Sequence, residues 1–203
     1  MDRPVRWLDL DWNRVGGNVE KKSRPLLAIA FLTALLGAPL GIPWERHPSL
    51  TWDDFKGRPG TAREPSAVTD TGFRTQLICR DGLLDLEGGA EFYPNTSWVK
   101  PDHKLDRLLT HEQGHFDITE LFTRRMKKAI RDARIGCEDE SKADAAGRRI
   151  LSALDEEWVK TEKAYDHDTK DGTDAVSQNQ ASARIARDLA ASKSQLFKQV
   201  GGK

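Results

Sequence analysis

His111-Glu112-Gln113-Gly114-His115 constrains this chain more than any other stretch. It is an H-E-x-x-H sequence inside a helical pattern, and two histidines four apart on a helix face the same way, about one turn apart. At that spacing two imidazoles can grip one metal ion, while the glutamate beside the first reaches a water on it.

Periodicity places this triplet on the side the helix buries. With Leu105 at 0° and about 100° per residue, Leu108, Leu109, Phe116, Phe122, Met126, Ala129 and Ile130 fall in one arc, from about 240° through zero to about 40°. His111, His115 and Glu112 share it, at about 240°, 280° and 340°. Buried polar groups need partners. A Zn²⁺ ion and its water would satisfy all three.

A third ligand is required, because two ligands hold zinc weakly. Asp117 and Glu120, at about 120° and 60°, lie on the wrong side of the same helix. The metzincin continuation needs Gly at 118 and His at 121, and Ile118 and Leu121 exclude it. The ligand must therefore come from a distant segment. The densest supply is Tyr165-Asp166-His167-Asp168-Thr169-Lys170-Asp171-Gly172, with Glu156, Glu157 and Glu162 as a fallback.

The rest of the chain sets the context. Its 203 residues suggest one domain with a core of its own. The 32 basic and 32 acidic side chains cancel, and no basic stripe interleaves with aromatics, so no nucleic-acid partner is expected. Residues 1–24 are polar and end in Lys21, Lys22 and Arg24; residues 25–44 carry no charge, and 26–36 have the length of a signal-peptide core. A basic flank before an apolar run places the remainder outside the cytoplasm, periplasmic or extracellular. The segment serves either as a cleaved signal or as a membrane anchor through residues 25–44, leaving 45–203 as a single zinc-peptidase-like domain. Cys79 and Cys137 are the only cysteines and form no C-x-x-C; they pair if the chain is exported and otherwise remain two thiols.

Within that domain, residues 68–80 are rich in Thr, Val, Ile and Phe, Asp81-Gly82 is a hairpin turn, and residues 83–93 answer it. Leu84 and Leu86 alternate with Asp85 and Glu87, which implies one buried and one wet face. Gly88-Gly89 predicts a bulge or bend. Helices are expected over 102–133, 139–166 and 175–200. The fold class is α+β, a small antiparallel hairpin or sheet packed on a zincin-like helical bundle that carries the H-E-x-x-H helix.

Trp52-Asp53-Asp54-Phe55-Lys56-Gly57, Ser97-Trp98-Val99 and above all His111-Glu112-Gln113-Gly114-His115-Phe116-Asp117-Ile118 resemble a bacterial family, domain of unknown function 922, described as secreted zinc-dependent peptidases. The resemblance covers roughly residues 50–189. The family also carries a downstream Y-D-x-x-T-x-H-G string, which Tyr165, Asp166, Thr169 and Gly172 match, with Asp171 where the family has His. That correspondence implies Asp171 as third ligand, a carboxylate in place of an imidazole, with His167 as a substitute.

The expected activity is zinc-assisted hydrolysis of a peptide or protein substrate. His111, His115 and Asp171 would hold the metal, which lowers the pKa of its water towards roughly 7. Glu112 would be the general base and Tyr165 a donor to the oxyanion. A strand of the 68–93 sheet would pair with the extended substrate at its edge. Two other readings belong to different classes: a non-catalytic zinc-binding envelope protein that uses the hairpin to bind a partner, and a metal-free helical module.

Overall fold

A computed structural model of the protein describes residues 41–59 and 65–200. The expected signal or anchor segment therefore lies outside the described residues, except for its last four positions. Those four already belong to the folded domain. Strand β1 (Ile42–Pro43) pairs antiparallel with β4 (Leu83–Phe92), Ile42 opposite Phe92, so the domain begins ahead of Glu45. Among the described residues no helix is long and apolar enough to cross a membrane.

The strongest local signal in the β region is its turn. Asp81 and Gly82 both take positive φ (51° and 76°), the left-handed pair that a two-residue hairpin loop requires. They join β3 (Thr71–Arg80) to β4 in a register running without interruption from Thr71 opposite Phe92 to Arg80 opposite Leu83. Of the bulge or bend expected at Gly88-Gly89, the bulge is absent, because no extra residue is inserted there. Gly88 instead takes φ 102°, and a Cβ there would meet the Arg74 carbonyl oxygen at 1.9 Å. The sheet order is β1-β4-β3. Two further short strands, β2 (Ala67–Val68) and β5 (Trp98–Val99), pair separately.

Leu84, Leu86, Ala90 and Phe92 all point from β4 into the core, which bears out the alternation. They pack on α1 (Asp106–Ala133), the central element. A short 3-10 turn over Pro101–His103 precedes it, so the helix proper starts four residues later than expected. On the side away from the sheet, Ile118 and Phe122 meet Tyr165 of α2 (Glu140–Thr169) and Ala181 and Ile185 of α3 (Ala175–Val200). Layers on both sides bury more of α1 than its apolar arc predicts. Glu120 is 4% exposed, and it is neutralised by Arg124 at 2.7 Å. Among the described residues the architecture is thus α+β, with small antiparallel sheets and three long helices.

Cys79 and Cys137 form a disulfide joining the end of β3 to the α1–α2 connection. It closes a loop between positions 58 apart, which by the chain-entropy account constrains the unfolded chain by about 4 kcal/mol. Hydrogen bonds from Leu84 N to Ile135 O (2.8 Å) and Cys137 N to Gly82 O (3.0 Å) tie the same two segments.

Candidate metal centre

His111, Glu112 and His115 lie in the second and third turns of α1, where the helix passes beneath the β2–β3 link and against the end of α2. His111 and Glu112 are each 3% exposed. The two imidazoles converge: His115 Nε2 stands 3.3 Å from His111 Nε2. Asp166 Oδ1 completes a triangle with them, 3.0 Å from His115 Nε2 and 3.3 Å from His111 Nε2. Ligands about 2.0–2.1 Å from a tetrahedral zinc are about 3.3 Å from one another. Two imidazole nitrogens and a carboxylate oxygen at this spacing therefore fit three corners of a zinc site, and among the described residues these three form the group that could hold a metal.

The carboxylate comes from Asp166, not Asp171. The last turn of α2 explains why. Lys170, Asp171 and Gly172 all take positive φ, a left-handed exit that turns the Asp171 amide back to the Asp166 carbonyl at 2.9 Å and leaves the Asp171 side chain in solvent. His167 is exposed as well, paired among the described residues with Asp168 at 3.2 Å. The same exit seats Gly172 on His111, where a Cβ would come within 2.6 Å of the His111 Cβ. Tyr165, Asp166, Thr169 and Gly172 thus all reach the site. Of the fallback acids, Glu156 and Glu157 are exposed, and Glu162 enters as a partner of His115.

Each imidazole is held from behind. Glu162 Oε2 accepts from His115 Nδ1, and its other oxygen accepts from Trp158 Nε1 at 2.9 Å. His111 Nδ1 faces Gln178 Oε1 at 3.2 Å and Thr169 Oγ1 at 3.3 Å. Such outer contacts orient ligating histidines and fix which nitrogen faces the metal. The Tyr165 ring stacks on His111, with centroids 4.9 Å apart and planes 7° from parallel. Its hydroxyl is fully occupied, donating to the His111 carbonyl at 3.0 Å and accepting from Gln178 Nε2 at 2.8 Å. Tyr165, expected as an oxyanion donor, sits in the site as a buried support with its proton directed to the His111 carbonyl.

The electrostatics favour a cation. Three carboxylates, from Glu112, Glu162 and Asp166, surround two imidazoles. Burial alone would lower the His115 pKa, but hydrogen bonds to Asp166 and Glu162 overcome it and push it up to about 10. Burial raises Asp166, yet its bonds to the two histidines hold it well below the usual carboxylate range. Burial pushes Glu112 up, only partly opposed by the Thr69 hydroxyl, which donates to Glu112 Oε2 at 2.7 Å. A carboxylate with raised proton affinity beside a metal triangle is suited to accept and return a proton.

Glu162 was visible in the sequence only as one of several acids, and Gln178 not at all. Both sit in the phase of an inward-facing stripe, the half-buried Trp158 and Glu162 with the buried Tyr165 and Thr169 on α2, and Gln178-Ala181-Ile185 on α3. A polar side chain in such a stripe demands a buried partner, and that is the signal that could have found them. The remaining letters of the H-E-Q-x-H-F-D string serve the fold. Gln113 accepts from Leu50 N (2.7 Å) and donates to Pro48 O (2.9 Å), Asp117 accepts from Trp44 Nε1 (2.8 Å), and Phe116 is fully buried in the core.

No curated protein and no solved structure matches the chain. The family described as a bacterial protein of unknown function (DUF922) matches residues 90–172. That span starts on β4, takes in the whole of α1, and ends on the glycine packed against His111. These matched residues supply all three corners of the triangle, and over them the chain is similar to that family of unknown function.

Proposed function

We propose that the protein is a zinc-dependent metallopeptidase of the bacterial cell envelope. The observation that carries this reading is the triangle of His111 Nε2, His115 Nε2 and Asp166 Oδ1 with the buried Glu112 beside it. Three protein ligands leave one tetrahedral position for water or substrate, the arrangement of catalytic rather than structural zinc sites. The Asp166 side chain is 42% exposed, so the site opens to solvent on that side. An H-E-x-x-H helix under an antiparallel sheet, with the third ligand from a later helix, supports a zincin-like description. The Cys79–Cys137 disulfide suits an oxidising compartment and so supports export.

Bound zinc would supply a Lewis acid that polarises a carbonyl and lowers the pKa of a water towards roughly 7. The chain's own residues do the rest. Glu112 takes one proton from the attacking water and returns it to the amine as the carbon–nitrogen bond breaks. Thr69 holds Glu112 Oε2 and leaves the other oxygen for that transfer. Glu162, Gln178 and Thr169 keep the imidazoles turned. Thr69 lies in the link between β2 and β3, so an extended peptide pairing along this edge would be carried past Glu112.

The alternative, a non-catalytic zinc protein that binds a partner, draws support from the committed Tyr165 hydroxyl, which removes one oxyanion donor. Glu112→Gln separates the two. The variant should keep one equivalent of zinc and lose cleavage of an unstructured protein substrate that the wild type cleaves. Cleavage that persists in it overturns the mechanism, and a zinc-loaded wild type inert on a broad peptide library favours the alternative.

A further inference from the structure

We propose that Gln178 is the positioning residue of His111, so that α3 completes the metal centre although the family match ends six residues before it. The proposal rests on the metal reading above and adds to it a fixed proton pattern.

The pattern follows from one group whose polarity admits no choice. The His111 backbone carbonyl can only accept, so the Tyr165 hydroxyl 3.0 Å away must donate its proton there. At 2.8 Å from the Gln178 amide, that hydroxyl oxygen is then left as an acceptor, and the amide must present its NH₂ to it. The same NH₂ donates to Ser182 Oγ at 3.1 Å. The amide oxygen is thereby turned to His111 Nδ1, at 3.2 Å. An oxygen cannot donate, so Nδ1 carries a proton, and Nε2, which faces Asp166 and His115, is the nitrogen left to a metal. Thr169 agrees: its hydroxyl gives its proton to the Tyr165 carbonyl at 2.7 Å and can only accept from Nδ1.

Gln178 suits the role because it is immobilised. It is 1% exposed, its backbone N–H donates to Asp174 O at 2.9 Å, and Ala181 and Ile185 on the same stripe are buried against α1 and α2. The two imidazoles are thus supported by unlike groups, a carboxylate behind His115 and a neutral amide behind His111.

The test is zinc affinity of the full chain, measured by competition with a chromophoric chelator, with thermal melts alongside. Gln178→Leu should weaken zinc about 10- to 100-fold, the usual effect of losing an outer partner. Gln178→Glu, which keeps an acceptor for Nδ1, should recover most of that loss. Gln178→Leu that folds and binds zinc within about two-fold of wild type overturns the proposal. Should that variant not fold, ¹⁵N-histidine spectra of the zinc-loaded wild type decide: a proton on His111 Nδ1 with zinc on Nε2 supports it, and zinc on Nδ1 overturns it. A wild type that binds no zinc overturns the metal reading itself, which distinguishes that failure from one confined to Gln178.

Discussion

A Cβ on Gly114 would stand 2.0 Å from the Tyr165 hydroxyl oxygen and 2.5 Å from its Cζ. Helix α1 thus admits the Tyr165 ring only because position 114, between the two histidines, carries no side chain. The ring that enters this notch stacks on His111 and meets His115 edge-on, with centroids 5.0 Å apart.

Gly114→Ala sets two effects against each other. Alanine in a helix interior gains up to about 1 kcal/mol over glycine. Overpacking a rigid buried ring costs about 1–3 kcal/mol. The tyrosine cannot yield without breaking its bonds to His111 O and Gln178, so the second effect wins. Chemical denaturation should show a net loss of about 1–2 kcal/mol, with weaker zinc binding because Asp166 is the next residue along.

Asp117 provides the contrast. It sits two residues from His115, yet it accepts from Trp44 and Gln113 and anchors residues 44–50 to α1. Asp117→Ala would leave those donors unpaired and should destabilise the fold by about 1–3 kcal/mol. Zinc affinity measured below the melting transition should be unchanged.

The metal-free protein should lose stability as pH rises from neutral to about 10. The His115 folded-state pKa lies above its ordinary value, so the stability its proton contributes is fully present below about 6.5 and is lost as pH rises through about 10. Bound zinc would displace that proton. Thermal melts across this range should show a decline in the metal-free protein, larger than in a His115→Gln variant, and zinc should largely abolish the difference.

Much of this was legible in the chain because it depends on local spacing. Four residues on a helix bring two imidazoles together, Asp81-Gly82 makes a two-residue turn, and Leu84 and Leu86 alternate with charge; each is a short-range consequence of backbone geometry. The third ligand is not short-range. Tyr165, Asp166, Thr169 and Gly172 were legible as a group, but which carboxylate turns inward depends on the left-handed exit over Lys170–Gly172, which no periodicity reports. Gln178 escaped for the same reason. It serves His111 across 67 positions, and nothing but its place in an apolar stripe marks it. The role of Tyr165 depended on where its proton goes, which only its buried partners decide.

The central claim is that His111, His115 and Asp166 hold one divalent metal, and metal stoichiometry tests it most directly. Wild-type protein dialysed against zinc should bind one equivalent. Asp166→Ala should bind at least about ten-fold more weakly, while Asp171→Ala should match wild type. Wild type retaining less than about half an equivalent, or loss of zinc in Asp171→Ala but not in Asp166→Ala, would contradict the account.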